Sequence, residues 1–116
     1  MKINSFTFTH PPVLHIFPSL YEGLGLPELS AYTEQRFLFT YSLGKLEGTG
    51  NGSIRLKKKN KEFDIVILEK LPGVGPIKLK NVKDLLIREA KDLFVANIQG
   101  EPNLRKVYHS YFRKSI

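Results

Sequence analysis

The sequence has no cysteine. That excludes a disulfide framework, cysteine-ligated zinc and a thiol nucleophile, and it fits a reducing compartment. Tryptophan is also absent and methionine occurs once, against eight Phe and five Tyr. The core must therefore be built from medium-sized aromatics and aliphatics. Long apolar runs are missing too. Ile65-Val66-Ile67-Leu68 is typical of the longest, far too short to span a bilayer. The opening Met1-Lys2-Ile3-Asn4-Ser5-Phe6 lacks the apolar stretch of a secretory signal. The expectation is a cytoplasmic protein with no membrane association.

What is present is ordinary for a globular chain. In 116 residues, 41% are hydrophobic and 25% charged, which suits one domain over residues 1–116. A chain of this size buries roughly two-thirds of its unfolded surface. Acids are outnumbered: eighteen Lys and Arg against eleven Asp and Glu give a formal charge of +7. Such a balance favours an acidic partner, whether nucleic acid, an anionic membrane or an acidic protein surface.

The cations are uneven along the chain. Residues 1–44 carry few charges. Residues 45–61 hold Lys45, Arg55, Lys57, Lys58, Lys59 and Lys61 against Glu47 alone. Residues 103–116 hold Arg105, Lys106, Arg113 and Lys114 and no acid.

Hydrophobic periodicity divides the chain into strands and then helices. Phe6 and Phe8 alternate with Thr7 and Thr9, a half-buried strand that Pro11-Pro12 ends. Val13–Phe17 is a second extended piece, closed by Pro18. Residues 18–35 read as a loop or short helix, punctuated by Gly23, Gly25 and Pro27. From Arg36, Phe37, Phe39, Tyr41 and Leu43 share one strand face, with Leu38, Thr40 and Ser42 on the other. Gly48-Thr49-Gly50-Asn51-Gly52 reads as a turn. Ile54 and Leu56 continue in a second strand. Asn60 centres a further turn, and Phe63, Ile65 and Ile67 form a third strand. The result is an antiparallel meander over 36–69 with a lysine-studded tip. Asn81 is a candidate N-cap for a helix carrying Val82, Leu85, Leu86, Leu93 and Phe94. After Gly100, Pro102 opens a last helix with Leu104, Val107, Tyr108, Tyr111 and Phe112 at helical spacing. Strands followed by helices predict an α+β fold, an antiparallel sheet of three to five strands with two C-terminal helices on one face.

Leu71-Pro72-Gly73-Val74-Gly75-Pro76 resembles the hairpin of the helix-hairpin-helix DNA-binding family. The resemblance implies that the backbone N–H groups of Gly73, Val74 and Gly75 contact a phosphate at a helix start, with Lys78 and Lys80 beside it. Two features depart from that family. Leu79 stands where a small residue packs the helices, and Glu62–Lys70 reads as a strand where the family has a helix. Phe17–Leu29 is similar to the donor-nucleotide segment of retaining GT-B glycosyltransferases. Glu22 matches the first of its two glutamates, but Ser30 holds the position of the second and cannot supply the carboxylate.

Two basic segments are the better candidates. Arg105, Lys106, His109, Arg113 and Lys114 form a polar helix face suited to phosphate backbones. Tyr108, Tyr111 and Phe112 either stack on unpaired bases or belong to the core, and core spacing fits them equally well. Lys57, Lys58, Lys59 and Lys61 at the hairpin tip either contact phosphate or protect the sheet edge from aggregation. For catalysis, His10, His15 and His109 have no supporting spacing, and there is no P-loop ending, nucleophile elbow or metal-ligand cluster. The expected protein is not an enzyme and takes no cofactor. It binds nucleic acid, or is a small ribonucleoprotein subunit, through segments 45–61 and 103–116. The alternative is a protein-interaction module: an inhibitor, an adaptor or a subunit of a larger complex.

Overall fold

The computed structural model describes residues 1–18, 29–57 and 62–108. Strands β1 (Lys2–Phe8), β2 (Val13–Pro18), β3 (Leu29–Leu43), β4 (Leu46–Lys57) and β5 (Phe63–Ile67) precede helices α1 (Pro76–Gln99) and α2 (Pro102–Val107). The five strands form one antiparallel sheet ordered β1-β3-β4-β5, with β2 also paired to β3. The architecture is α+β, as the pattern of periodicities predicts.

β1 and β2 lie end to end along one side of β3. Residues 37–42 of β3 pair with β1, and residues 29–34 pair with β2. The interruption falls where Pro11 and Pro12 cannot donate to a ladder. Just before it, the Thr9 N–H still reaches the Arg36 carbonyl at 2.9 Å.

β3 is longer than the alternation from Arg36 suggests. Residues 29–35 belong to it, where the sequence predicts loop or helix; residues 19–28 lie outside the described residues. The hairpin turn is also not where the glycines cluster. It falls on Gly44-Lys45, with Gly44 at φ 62°. Gly48, Gly50 and Gly52 sit inside β4, opposite Tyr41, Phe39 and Phe37. A side chain at Gly48 or Gly50 would run into the Tyr41 or Phe39 ring. The aromatic rings lie across bare backbone there, so the sheet carries large aromatics on one strand and none opposite.

α1 starts six residues earlier than the Asn81 cap predicts. Gly75 is the extended N-cap and Pro76 occupies the first turn, where a missing N–H is harmless. Asn81 is an exposed residue within the helix. Val82, Leu86, Ala90, Phe94 and Ile98 form the buried stripe. Leu93, expected in the core, is 53% exposed. The stripe packs on Phe37, Phe39, Ile54, Leu56 and Ile65 of the sheet. Each such buried side chain is worth roughly 1.5–3 kcal/mol relative to exposure. α1 ends at Gly100, whose N–H reaches the Ala96 carbonyl at 3.0 Å. α2 then tucks Leu104 and Tyr108 into the same core.

Hydrogen bonds close the two ends of this layer. At the α1 N-terminal end, the Tyr41 hydroxyl donates to the Pro72 carbonyl at 2.8 Å. At the other end, the Tyr108 hydroxyl donates to the Leu56 carbonyl at 2.8 Å. There too, Asn97 Nδ2 donates to Gln35 Oε1 at 3.0 Å, and Gln35 Nε2 donates to the His10 carbonyl at 2.9 Å.

Candidate nucleic-acid interface

The residues marked by sequence separate into two groups at opposite ends of the molecule. Lys57 ends β4 and is exposed. Arg105 and Lys106, in the last turn of α2, are exposed too. The Tyr108–Leu56 hydrogen bond ties α2 to the end of β4, so these cations share one end of the sheet. Lys58, Lys59, Lys61, His109, Arg113 and Lys114 lie outside the described residues, as do Tyr111 and Phe112. Gly73, Gly75, Lys78 and Lys80 belong to the other end. The 24 residues of α1 separate the two groups by roughly 36 Å, at about 1.5 Å per residue. Segment 45–61 is likewise no compact loop: Lys45 and Lys57 stand at opposite ends of β4.

Residues 71–76 connect β5 to α1, so a strand precedes the turn. Gly73 adopts φ 76°, and a side chain on it would strike Leu46. The turn and this close approach account for the glycine. Gly75 leads into the helix with extended backbone, and its carbonyl accepts the Leu79 N–H at 2.8 Å.

Tyr108 is buried, which assigns it to the core rather than to a stacking surface. Burial raises its hydroxyl pKa above the ordinary 10.0.

A different surface draws aromatic and cationic groups together: the sheet face that α1 leaves uncovered. Strand alternation sends Phe37, Phe39 and Tyr41 to the helix and Tyr32, Glu34 and Arg36 to this open face. In register, His15, Tyr32 and Lys57 lie abreast on β2, β3 and β4. One step along, Val13, Glu34, Arg55 and Asp64 do the same. The His15 ring stacks on Tyr32, with centroids 4.9 Å apart and planes 28° apart. The Arg55 guanidinium lies 4.8 Å from the centre of the Tyr32 ring, within cation–π range.

Glu34 organises this group. Its Oε2 accepts from Arg55 Nε at 2.6 Å and from Ser53 Oγ at 3.0 Å. Its Oε1 is 3.6 Å from His15 Nε2. Burial pushes the Glu34 carboxyl upward, but Arg55, Ser53 and His15 outweigh that and hold it below its ordinary value. Glu34 is therefore a carboxylate at neutral pH and pins Arg55 beside Tyr32. Arg36, paired with Ser53, is exposed on the same face.

Reading by sequence passes over Tyr32 and Arg36, weighs His15 only for catalysis, and counts Arg55 only as one cation of segment 45–61. The available signal was the alternation itself. Once β3 is extended to residue 29, every second residue from Tyr32 to Arg36 becomes surface.

Among the described residues, no group of three or more His, Asp or Glu could hold a metal ion, and no helix is long and apolar enough to cross a membrane. Comparison with known proteins finds no matching family model, no matching curated protein and no matching solved structure.

Proposed function

We propose that this protein binds single-stranded nucleic acid without catalysis, through the helix-free face of its sheet. The observation that carries this reading is the open face, where Arg55 and Lys57 stand beside the stacked His15–Tyr32 pair and Arg36 lies two alternate positions further along β3. Cations neutralise phosphates, and planar imidazole and guanidinium groups stack on unpaired bases. Arg105 and Lys106 stand at the same end of the sheet, on α2, which packs on the side that α1 covers. The +7 charge supplies long-range attraction.

Fluorescence anisotropy with a labelled twelve-nucleotide RNA tests the reading. Two phosphate contacts, by Arg36 and Lys57, predict a log–log salt slope of about −1.4, using roughly −0.7 per neutralised phosphate of a single strand. The triple variant R36A/R55A/K57A should abolish most of that slope. Affinity independent of salt, or binding unchanged in the triple variant, contradicts the proposal.

A further inference from the structure

The two edges of the sheet are built differently. The β1–β2 edge is broken by a register shift between Ile3 and Ser5 and by Pro11 and Pro12. Such irregularities discourage pairing with a further strand. β5 has none: its register runs unbroken from Phe63↔Leu56 to Ile67↔Gly52. The Lys57 N–H donates to the Glu62 carbonyl and the Leu68 N–H to the Asn51 carbonyl, both at 3.1 Å. These two bonds set the parity of the ladder. Backbone groups alternate in direction along an antiparallel strand. Those of Asp64 and Val66 therefore face β4, and those of Phe63, Ile65 and Ile67 face away. No described residue hydrogen-bonds to these outward groups.

α1 walls one side of this edge. Lys91 Nζ lies 5.1 Å from the centre of the Phe63 ring, which orients that flank of the helix toward β5. Ile87 and Lys83, one and two turns back, are both half-buried on the same flank. Lys80 and Lys70 add positive charge toward the far end, against Asp84 and Glu69. Just beyond Ile67, a cleft of about 300 Å³ is lined by the apolar Ile67, Leu68, Leu71, Val74 and Leu79 together with Glu69 and Lys70.

The spacing is informative. Four helical residues rise about 6 Å, and two strand residues rise about 6.6 Å. Lys83, Ile87 and Lys91 therefore match alternate residues of a strand laid beside β5. We infer that the β5 edge accepts an extended segment of a partner protein with the pattern acidic–x–apolar–x–acidic. The outward groups of Phe63, Ile65 and Ile67 supply the main-chain hydrogen bonds. Lys83 and Lys91 meet the acids, Ile87 meets the apolar residue, and the cleft takes an apolar side chain beyond the pattern. A second copy of this chain does not fit, because pairing two β5 edges brings lysine flanks together on proteins of charge +7. This site is independent of the open-face reading.

The test uses the full-length ¹⁵N-labelled protein and an end-blocked peptide with the core glutamate–threonine–valine–threonine–glutamate. At saturation, amide exchange at Phe63, Ile65 and Ile67 should slow by about tenfold or more, as the opening needed for exchange becomes coupled to peptide release. The variant K83E/K91E should lose this peptide and gain one with lysines in place of the glutamates. A peptide N-methylated at alternate residues should not bind. Exchange unaffected by millimolar peptide, or equal binding of the N-methylated form, overturns the inference. So does protection of these amides without peptide. If that protection is independent of concentration, the chain covers its own edge; if it grows with concentration, a second copy does.

Discussion

The two faces of the sheet, drawn from alternate residues of the same strands, follow opposite rules. On the covered face, β3 presents Phe37, Phe39 and Tyr41, and β4 answers with glycines that leave room for the rings. On the open face the same strands present Tyr32, Glu34 and Arg36 against Lys57, Arg55 and Ser53. The first face is shaped by packing, where a single methylene matters. The second is shaped by charge and hydrogen bonds, such as the Arg55 Nε donation to Glu34 Oε2 at 2.6 Å. The lesson is that core packing and surface charge are separable here at one-residue resolution.

Adjacent substitutions give the largest contrast. Phe39→Ala should cost about 4 kcal/mol, as a large-to-small change in a packed core. Leu38→Ala, on the open face and 45% exposed at the start, should stay within roughly 0.5 kcal/mol. Urea denaturation midpoints measure both. If the two costs were alike, the division into faces would be wrong.

Gly50→Ala comes next, at about 1–3 kcal/mol, because the added methyl meets the Phe39 ring and Leu71. Pairing it with Phe39→Leu sharpens the test. The combined variant should be less destabilised than the sum of the two, since the smaller side chain makes room.

Tyr108→Phe should cost about 1 kcal/mol by removing the donor to the Leu56 carbonyl. It should also alter the alkaline limb. The folded pKa of Tyr108 is raised above 10.0, so its contribution is complete below about pH 10 and drains away as pH rises through the folded value. The variant should therefore lose less stability than the wild type over that range. Tyr41, also raised by burial, retains its share of the loss.

The smallest effect belongs to Glu34. Its folded pKa lies below the ordinary 4.5, so its contribution is complete above that value and disappears as pH falls through the folded one. Glu34→Gln should flatten the acid limb of the stability profile. It should also loosen Arg55, which a change in the Tyr32 ring shifts would report.

Much of the fold is legible in the sequence because its period is simple. The alternation from Phe37 to Leu43 and from Phe63 to Ile67, and the proline that opens α2, have direct physical readings. The first half of β3 is hidden because its inward residues include Thr33 and Gln35. Both are buried, and Gln35 is held there by His10 and Asn97 rather than by apolar packing. No hydrophobic alternation can reveal such a stretch. Gly48–Gly52 misleads for the converse reason. Its glycines are chosen by the rings across the ladder, a relation between residues that pairing creates and local composition does not contain. The open-face group was illegible for both reasons at once, since His15, Tyr32 and Arg55 meet only through the register of three strands.

The most direct measurement is a ¹⁵N NMR titration of the intact protein with a twelve-nucleotide single-stranded RNA. The account predicts shifts concentrated at His15, Tyr32, Arg36, Arg55 and Lys57, weakening as salt is added. Shifts concentrated instead at residues 73–80, or none anywhere, would contradict it.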